Sequence, residues 1–254
     1  MNKKNQSTLT KNEENQWFST WFNSPYYHLL YHKRNQKEAE SFILKLIRHL
    51  NPEPGSEALD LACGTGRHSK TLNKSGLTVL GIDLSQNSIR EAKKHENEKL
   101  KFLVHDMREI LRPFYFDYIF NLFTSFGYFD SLVDDEKVLN ACHEQLKPGG
   151  HLILDYFNVE KILDGLPFKG IEHRGDIDFK IEKNYSNKQI VKAIDFEANG
   201  NQYHFTERVS AYTLEDFELM FQRCGFEIKI VFGNYLLEKF SENSERVIII
   251  AEKK

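Results

Sequence analysis

The sequence predicts an α/β fold. It should be a doubly wound, mostly parallel seven-stranded sheet with an antiparallel last strand, plus a small inserted antiparallel β-meander. Three observations predict it. Between residues 58 and 157 short apolar runs alternate with helix-length amphipathic segments, and parallel strands need crossovers of that length. Between residues 158 and 212 the pattern changes to strict two-residue alternation broken by turn-rich links. The last two apolar runs, FEIKIVF and RVIIIAE, are joined by a link too short for a helical crossover, so they should pair antiparallel.

The elements follow in order. Residues 17–34 are aromatic-rich and broken by Pro25. Ala39, Phe42, Ile43, Leu46, Ile47 and Leu50 then recur at helical spacing until Asn51-Pro52 stops them. Residues 17–50 are therefore expected to form a helical cap before the sheet. ALDLA is a buried strand, GRHSKTLNKSG a helix stopped at Gly76, and LTVLGID a second strand. Ser85 is a good N-cap for a helix reaching Glu98. LKFLVH and FDYIFNLF read as the third and fourth strands. A helix over about 134–147 puts Val138, Leu139, Cys142 and Leu146 on one face, Pro148-Gly149-Gly150 ends it, and HLILDYF is the fifth strand.

In the insert, DIDFKIEK places Ile177, Phe179 and Ile181 on one side. QIVKAIDFE and QYHFTERVS follow across the links NYSNK and ANGN, so three strands with one apolar face are expected. Thr213 should cap the next helix and Gly225 should stop it. The expected division is a disordered tail at 1–16, a core at 51–157 and 213–254, and the insert at 158–212.

The chain has 254 residues, 40% of them hydrophobic and 28% charged, with a net charge of -3. That balance supports a real core and demands no phosphate-backbone partner, so no nucleic acid is expected. Cys63, Cys142 and Cys224 have neither disulfide-framework nor metal-pair spacing, which suits a reducing cytoplasm. The first sixteen residues lack the apolar core of a signal peptide, and no run approaches the roughly 18 apolar residues of a membrane span. A monomer or homodimer is expected.

The chemistry starts at ALDLACGTGRHS. A strand ends in an acid, and Gly64 and Gly66 follow at alternate positions before a helix. Paired glycines there let a ligand approach the backbone, beside free N–H groups at the helix start. Ser69 occupies the third place of the G-x-G-x-x-G/A pattern, so the match is partial. Asp83, ending the second strand, suits the ribose of either a nicotinamide dinucleotide or S-adenosylmethionine.

In sequence order, LDLACGTG, GIDLS, VHDMRE, FDYIFNLFTSFGYF and LKPGGHLILD resemble the motifs of the class I S-adenosylmethionine-dependent methyltransferases, over residues 37–157 and 213–254. Ala62 stands where many members carry a glycine. The resemblance implies a ligand role for each matching residue. Asp60 would organise the loop and the amino end of the methionine part. Gly64 and Gly66 would pass under the ligand. Asp83, with Leu84 beside it, would take the ribose hydroxyls. Asp106 would accept from the adenine amine with Met107 against the ring, and Asn121 and Leu122 would flank the methionine part. Tyr26 or Tyr27 would cover the methionine end, with Tyr27 taken as the site residue, and Arg34 would pair with its carboxylate.

No catalytic base stands out; Tyr27, Tyr128, Tyr156 and His204 are candidates to accept a proton. His28 and His32 are four apart but do not make a metal site. NLFTS stands where nucleic-acid and protein-amide enzymes carry an N-P-P-Y-type run, which implies a small-molecule acceptor. The insert resembles the β-meander that some sugar-amine and other small-molecule methyltransferases carry over the active-site mouth. A nicotinamide-dependent oxidoreductase and a non-catalytic S-adenosylmethionine-binding protein are the alternatives.

Overall fold

The computed structural model describes residues 17–31, 36–129 and 131–254. The strands β1 (Glu57–Leu61), β2 (Thr78–Asp83), β3 (Leu100–Val104), β4 (Phe116–Asn121), β5 (Leu146–Phe157), β10 (Phe226–Phe232) and β11 (Arg246–Lys253) form one sheet in the order β10-β11-β5-β4-β1-β2-β3. β1 pairs parallel with β2 and β4, β2 with β3, and β4 with β5. β11 runs antiparallel between β5 and β10. β1 and β11 are buried along nearly their whole length, as strands covered on both faces must be.

Helices cover both faces. On one, Val138, Leu139 and Cys142 of α6 (Leu132–Gln145) meet Phe217, Met220 and Phe221 of α8 (Leu214–Arg223) over Ile119, Leu152 and Ile249. On the other, Phe42, Ile43 and Leu46 of α3 (Gln36–Leu50) join Leu72 of α4 (Arg67–Lys74) and Ile89 of α5 (Gln86–Ala92) over Ala58, Phe120 and Ile248. The expected caps form: Ser85 Oγ accepts from Ser88 N, and Thr213 and Asp216 make a reciprocal capping box. Thr213→Ala should therefore cost about 1 kcal/mol in a urea titration, with no change in cofactor affinity.

Three details differ from expectation. α5 ends at Ala92 and gives way to a 3₁₀ turn, Lys93–His95, instead of reaching Glu98. α6 begins at Leu132 and ends at Gln145, and β5 already starts at Leu146. Pro148 and the glycines after it therefore do not end the helix, which stops at Gln145; they form an irregularity inside the strand. The β4 pairing jumps from Phe116↔Leu146 to Tyr118↔His151, with Gly149 in the left-handed region at φ +75°.

The insert holds four strands, not three: β6 (Phe168–Arg174), β7 (Ile177–Ser186), β8 (Gln189–Ala198) and β9 (Asn201–Ser210), an antiparallel sheet in chain order. β6 escaped prediction because it is an edge strand with little burial; Phe168 and Ile171 are both exposed. Phe179, Ile181, Ile194 and Phe196 form the apolar face. α1 (Trp17–Phe22) and α2 (Pro25–Tyr31) cover it through Trp21 and Leu30, and the Trp21 ring lies 4.4 Å from that of Phe205. The helical stretch before β1 thus serves two partners: α1 and α2 pack on the insert, α3 on the main sheet. The insert is anchored at the carboxyl edge of the main sheet, where Ser210 N donates to Gly127 O and the Tyr156 hydroxyl donates to Ser210 O.

Candidate active site

The sheet order reverses beside β1, with β2 and β3 on one side and β4 and β5 on the other. Ligands of open α/β sheets bind at the carboxyl ends of strands at such a point. A cavity of about 1000 Å³ lies there, lined by residues following β1, β2, β3 and β4 and by α1 and α2.

Its floor is the glycine turn. Ala62, Gly64 and Gly66 all have positive φ, +52°, +56° and +79°, so alternate residues adopt the left-handed conformation that glycine accepts without strain. The two glycines have different reasons to be glycine. A Cβ on Gly64 would meet nothing within 4 Å, so its backbone faces open space. A Cβ on Gly66 would lie 2.5 Å from Phe102 Cζ; Gly66 lets the start of α4 pack down on β3. Ala62 holds the same backbone region at a cost of about 1–2 kcal/mol.

Two carboxylates set the electrostatics. Asp83 Oδ2 accepts from Gly64 N at 2.9 Å and Oδ1 from Ser85 N at 2.7 Å, so this side chain ties the β2 end to the glycine turn. Burial pushes its pKa upward, against those two hydrogen bonds. Asp60 is 1% exposed and accepts from Ser69 Oγ at 2.5 Å. Burial raises its pKa to about 7, and the nearby Asp83 adds to the shift. Cys63 beside them is buried, and burial together with both acids pushes its thiol well above its ordinary value.

The opposite wall is aromatic: Phe22, Tyr27 and Tyr31 from α1 and α2, with Phe123, Tyr128 and Phe129 from the segment after β4. His28 also lines the cavity; burial lowers its pKa, against the pull of Asp83 and Glu91. The wall is fastened at both ends. Ser85 Oγ donates to Asn23 Oδ1 and Asn87 Nδ2 to Asn23 O. Trp21 Nε1 and the Tyr31 hydroxyl donate to Glu207 of β9, at 2.7 and 2.5 Å. Lys192 Nζ donates to the Tyr31 oxygen at 2.6 Å and lies 3.6 Å from Glu207, its cross-strand partner.

An adenosyl cofactor fits this lining. There is open space above Gly64, and the acids Asp60 and Asp83 line the cavity. Beside Leu122, the buried Asn121 Oδ1 has no hydrogen-bond partner. Such a sheet with such a turn defines a class I S-adenosylmethionine-dependent methyltransferase. The family model described as a methyltransferase domain matches residues 52–209, and the chain belongs to that family. YqeM of Bacillus subtilis (strain 168), described as a candidate methyltransferase, is 30% identical over 219 residues, 82% of this chain and 88% of its own length. An S-adenosylmethionine-dependent methyltransferase of Clostridium acetobutylicum superposes with TM-score 0.76 at 22% identity, covering 90% of this chain and 96% of its own. CalS10, an amino pentose methyltransferase of Micromonospora echinaspora crystallised with S-adenosylmethionine bound, gives 0.70 at 20% identity, covering 88% and 93%. The protein is a methyltransferase that uses S-adenosylmethionine.

The residues expected from sequence divide. Asp60, Ala62, Gly64, Asp83, Leu84, Met107, Leu122, Tyr27 and Tyr128 line the cavity. Gly66 and Asn121 stand just behind the lining. Asp106 does not line it, although His105 and Met107 do. Its carboxylate is held by Arg108 in a two-pronged pair, with Nη2 at 2.6 Å. Burial would raise its pKa, but the Arg108 guanidinium and backbone hold it below its ordinary value. Arg34 lies outside the described residues, as do the 1–16 tail and Asp130.

Two of the proton-accepting candidates need correction. Tyr156 is fully buried in the main core, its hydroxyl engaged by Ser210 O, and burial drives its pKa well above the ordinary value. It is a packing residue that docks the insert. His204 is exposed on β9 and paired to Asp195 at 2.7 Å, away from the cavity lining. Sequence reasoning missed the Tyr31–Lys192–Glu207 group. Its one signal was Lys192 itself, standing in the buried register of β8 between Ile190 and Ile194. A lysine in such a register needs a partner.

Among the described residues no helix is long and apolar enough to cross a membrane. Nor does any group of three or more His, Cys, Asp or Glu among them stand close enough to hold a metal ion.

Proposed function

We propose that the protein transfers the methyl group directly to a small-molecule acceptor entering beneath α1 and α2. The carrying observation is the cavity: one continuous space of about 1000 Å³ whose acidic glycine-turn floor faces an aromatic wall. That size holds a nucleoside cofactor with room for a small second molecule. S-adenosylmethionine supplies, when bound, a sulfonium methyl with its leaving group in place. What remains for this chain is orientation and exclusion of water.

In this reading Asp60 faces the ligand's ammonium and Asp83 its ribose, on Gly64. Met107 takes the adenine side, and Asn121 and Leu122 flank the methionine part. Tyr27 and Tyr128 present their faces and hydroxyls to the methyl and the acceptor, and Tyr31, its hydroxyl held by Glu207 and Lys192, presents its ring; aromatic faces suit a positive sulfur. The core at 51–157 and 213–254 binds the cofactor, and the insert at 158–212 acts indirectly, since none of its residues lines the cavity. It backs the α1–α2 wall that does. The amino pentose specificity of CalS10 supports a small acceptor, as does the net charge of -3. All three cysteines are unpaired and buried, which fits a cytoplasmic setting.

The test is a panel of small amines, amino sugars and phenols incubated with the protein and methyl-labelled cofactor. Label should move to at least one small molecule with a mass gain of one methyl group, and Tyr27→Phe should slow that transfer. Label moving only to protein or RNA, or cofactor binding with no transfer to any class, would overturn this reading.

A further inference from the structure

The chain leaves β4 through two consecutive non-glycine residues in the left-handed region, Phe123 at φ +57° and Thr124 at φ +58°. For a bulky aromatic followed by a β-branched residue this is uncommon and strained. Both line the cofactor cavity, and three hydrogen bonds hold them. Phe123 N donates to Asp155 Oδ2 at 2.8 Å and Thr124 N to Asp155 O at 2.9 Å. Arg246 Nη2 donates to Thr124 Oγ1 at 3.0 Å, and the same guanidinium bonds Asp155 Oδ1 through Nε at 2.8 Å. Asp155 is fully buried, and Tyr235 donates to it at 3.2 Å while stacking on Phe123. Asp155 lies near the end of β5, in register with Ile248, and Arg246 opens β11 opposite Phe157, so the two are diagonal neighbours where the antiparallel strand meets the parallel set. Neither residue lines the cavity.

We propose that Asp155 and Arg246 are positioning residues: a buried carboxylate and a half-buried guanidinium, paired, that hold Phe123 and Thr124 in strained backbone and thereby set the shape of the cofactor cavity wall after β4. An apolar pair of equal volume could fill the core there, but it could not accept from Phe123 N or donate to Thr124 Oγ1. The pair also explains why the turn tolerates side chains: Phe123 must keep its ring between His68 and Tyr235, so glycine cannot serve at that position, and the strain is held from outside.

The test uses S-adenosylhomocysteine as probe, with titration calorimetry and thermal melting on the full chain. Arg246→Lys keeps the charge and loses the fork; Asp155→Asn is the stronger change. Each should weaken binding about tenfold. Thr124→Gly, which takes positive φ without strain, is then combined with Arg246→Lys, and the single Thr124→Gly variant supplies the reference. The expected result is that glycine restores affinity to within about threefold of that reference while the melting temperature stays low. A merely structural pair would show affinity and melting temperature falling together with no rescue. That result, or undiminished affinity in Arg246→Lys, would overturn the proposal; should Asp155→Asn fail to fold, the Arg246→Lys pair of measurements decides it.

Discussion

Asp60→Asn should raise the melting temperature of the cofactor-free protein at pH 8 while weakening its hold on the cofactor. The two opposite effects come from one carboxyl. Asp60 is buried, and its pKa rises from 3.8 to about 7. Above both values the folded chain carries a charge that burial disfavours. At about 1.4 kcal/mol per unit, a shift of about three units penalises the folded state by up to roughly 4 kcal/mol. The sign follows from the direction. The folded pKa of an acid is raised, so the penalty is absent below about pH 4, grows as pH rises to about 7 and is constant above. Asparagine can still accept from Ser69, so the stabilisation of the variant should vanish near pH 4 and be largest at pH 8.

The proposed partner of this charge is the ligand's ammonium. Binding a cation beside Asp60 favours the ionised form, so below pH 7 binding must release a proton. Wild-type affinity for S-adenosylhomocysteine should therefore tighten several-fold between pH 6 and 8, and Asp60→Asn should flatten that dependence. Calorimetry in buffers of different ionisation enthalpy reads the released proton directly. A wild-type affinity that does not change over this range would remove Asp60 from the ammonium site.

Asp83→Ala should weaken S-adenosylhomocysteine binding by roughly 1–3 kcal/mol, about five- to 150-fold. Its carboxylate joins the end of β2 to both Gly64 N and Ser85 N. Alanine removes those acceptors together with the proposed ribose contact. Asp83→Asn should fall between, since the amide offers one acceptor oxygen where the carboxylate offers two. Thermal stability without ligand separates a loosened turn from a lost ligand contact. If Asp83→Ala bound as tightly as the wild type, the ribose assignment would be wrong.

Much of the site was legible because its signals are local. LDLACGTG and GIDLS are each a strand and the turn that follows it, and those turns reach the cavity through Asp60, Ala62, Gly64, Asp83 and Leu84. The nicotinamide alternative could not be removed from these residues alone. The methyltransferase-domain match removes it, and the sheet with antiparallel β11 agrees. Other expectations depended on where a side chain ends up. Asp106 sits on the expected turn, but Arg108, two residues on, takes its carboxylate. Tyr156 and His204 both looked able to take a proton, yet alternation along a strand sends one into the core and the other to solvent.

By itself, then, the amino-acid sequence determined the order of strands and helices in the main sheet, the glycine turn and the acids at the ends of β1 and β2. Each of these is written in residues within one strand–turn–helix unit, where period and cap leave few choices. Only the tertiary structure decided that Tyr31 meets Lys192 and Glu207, that Asp155 and Arg246 brace the turn after β4, and that α1 and α2 line the cavity while the insert supports them from behind. Those contacts join residues 32 to 186 positions apart. No local period encodes which of many exposed polar side chains will meet once the sheets are assembled.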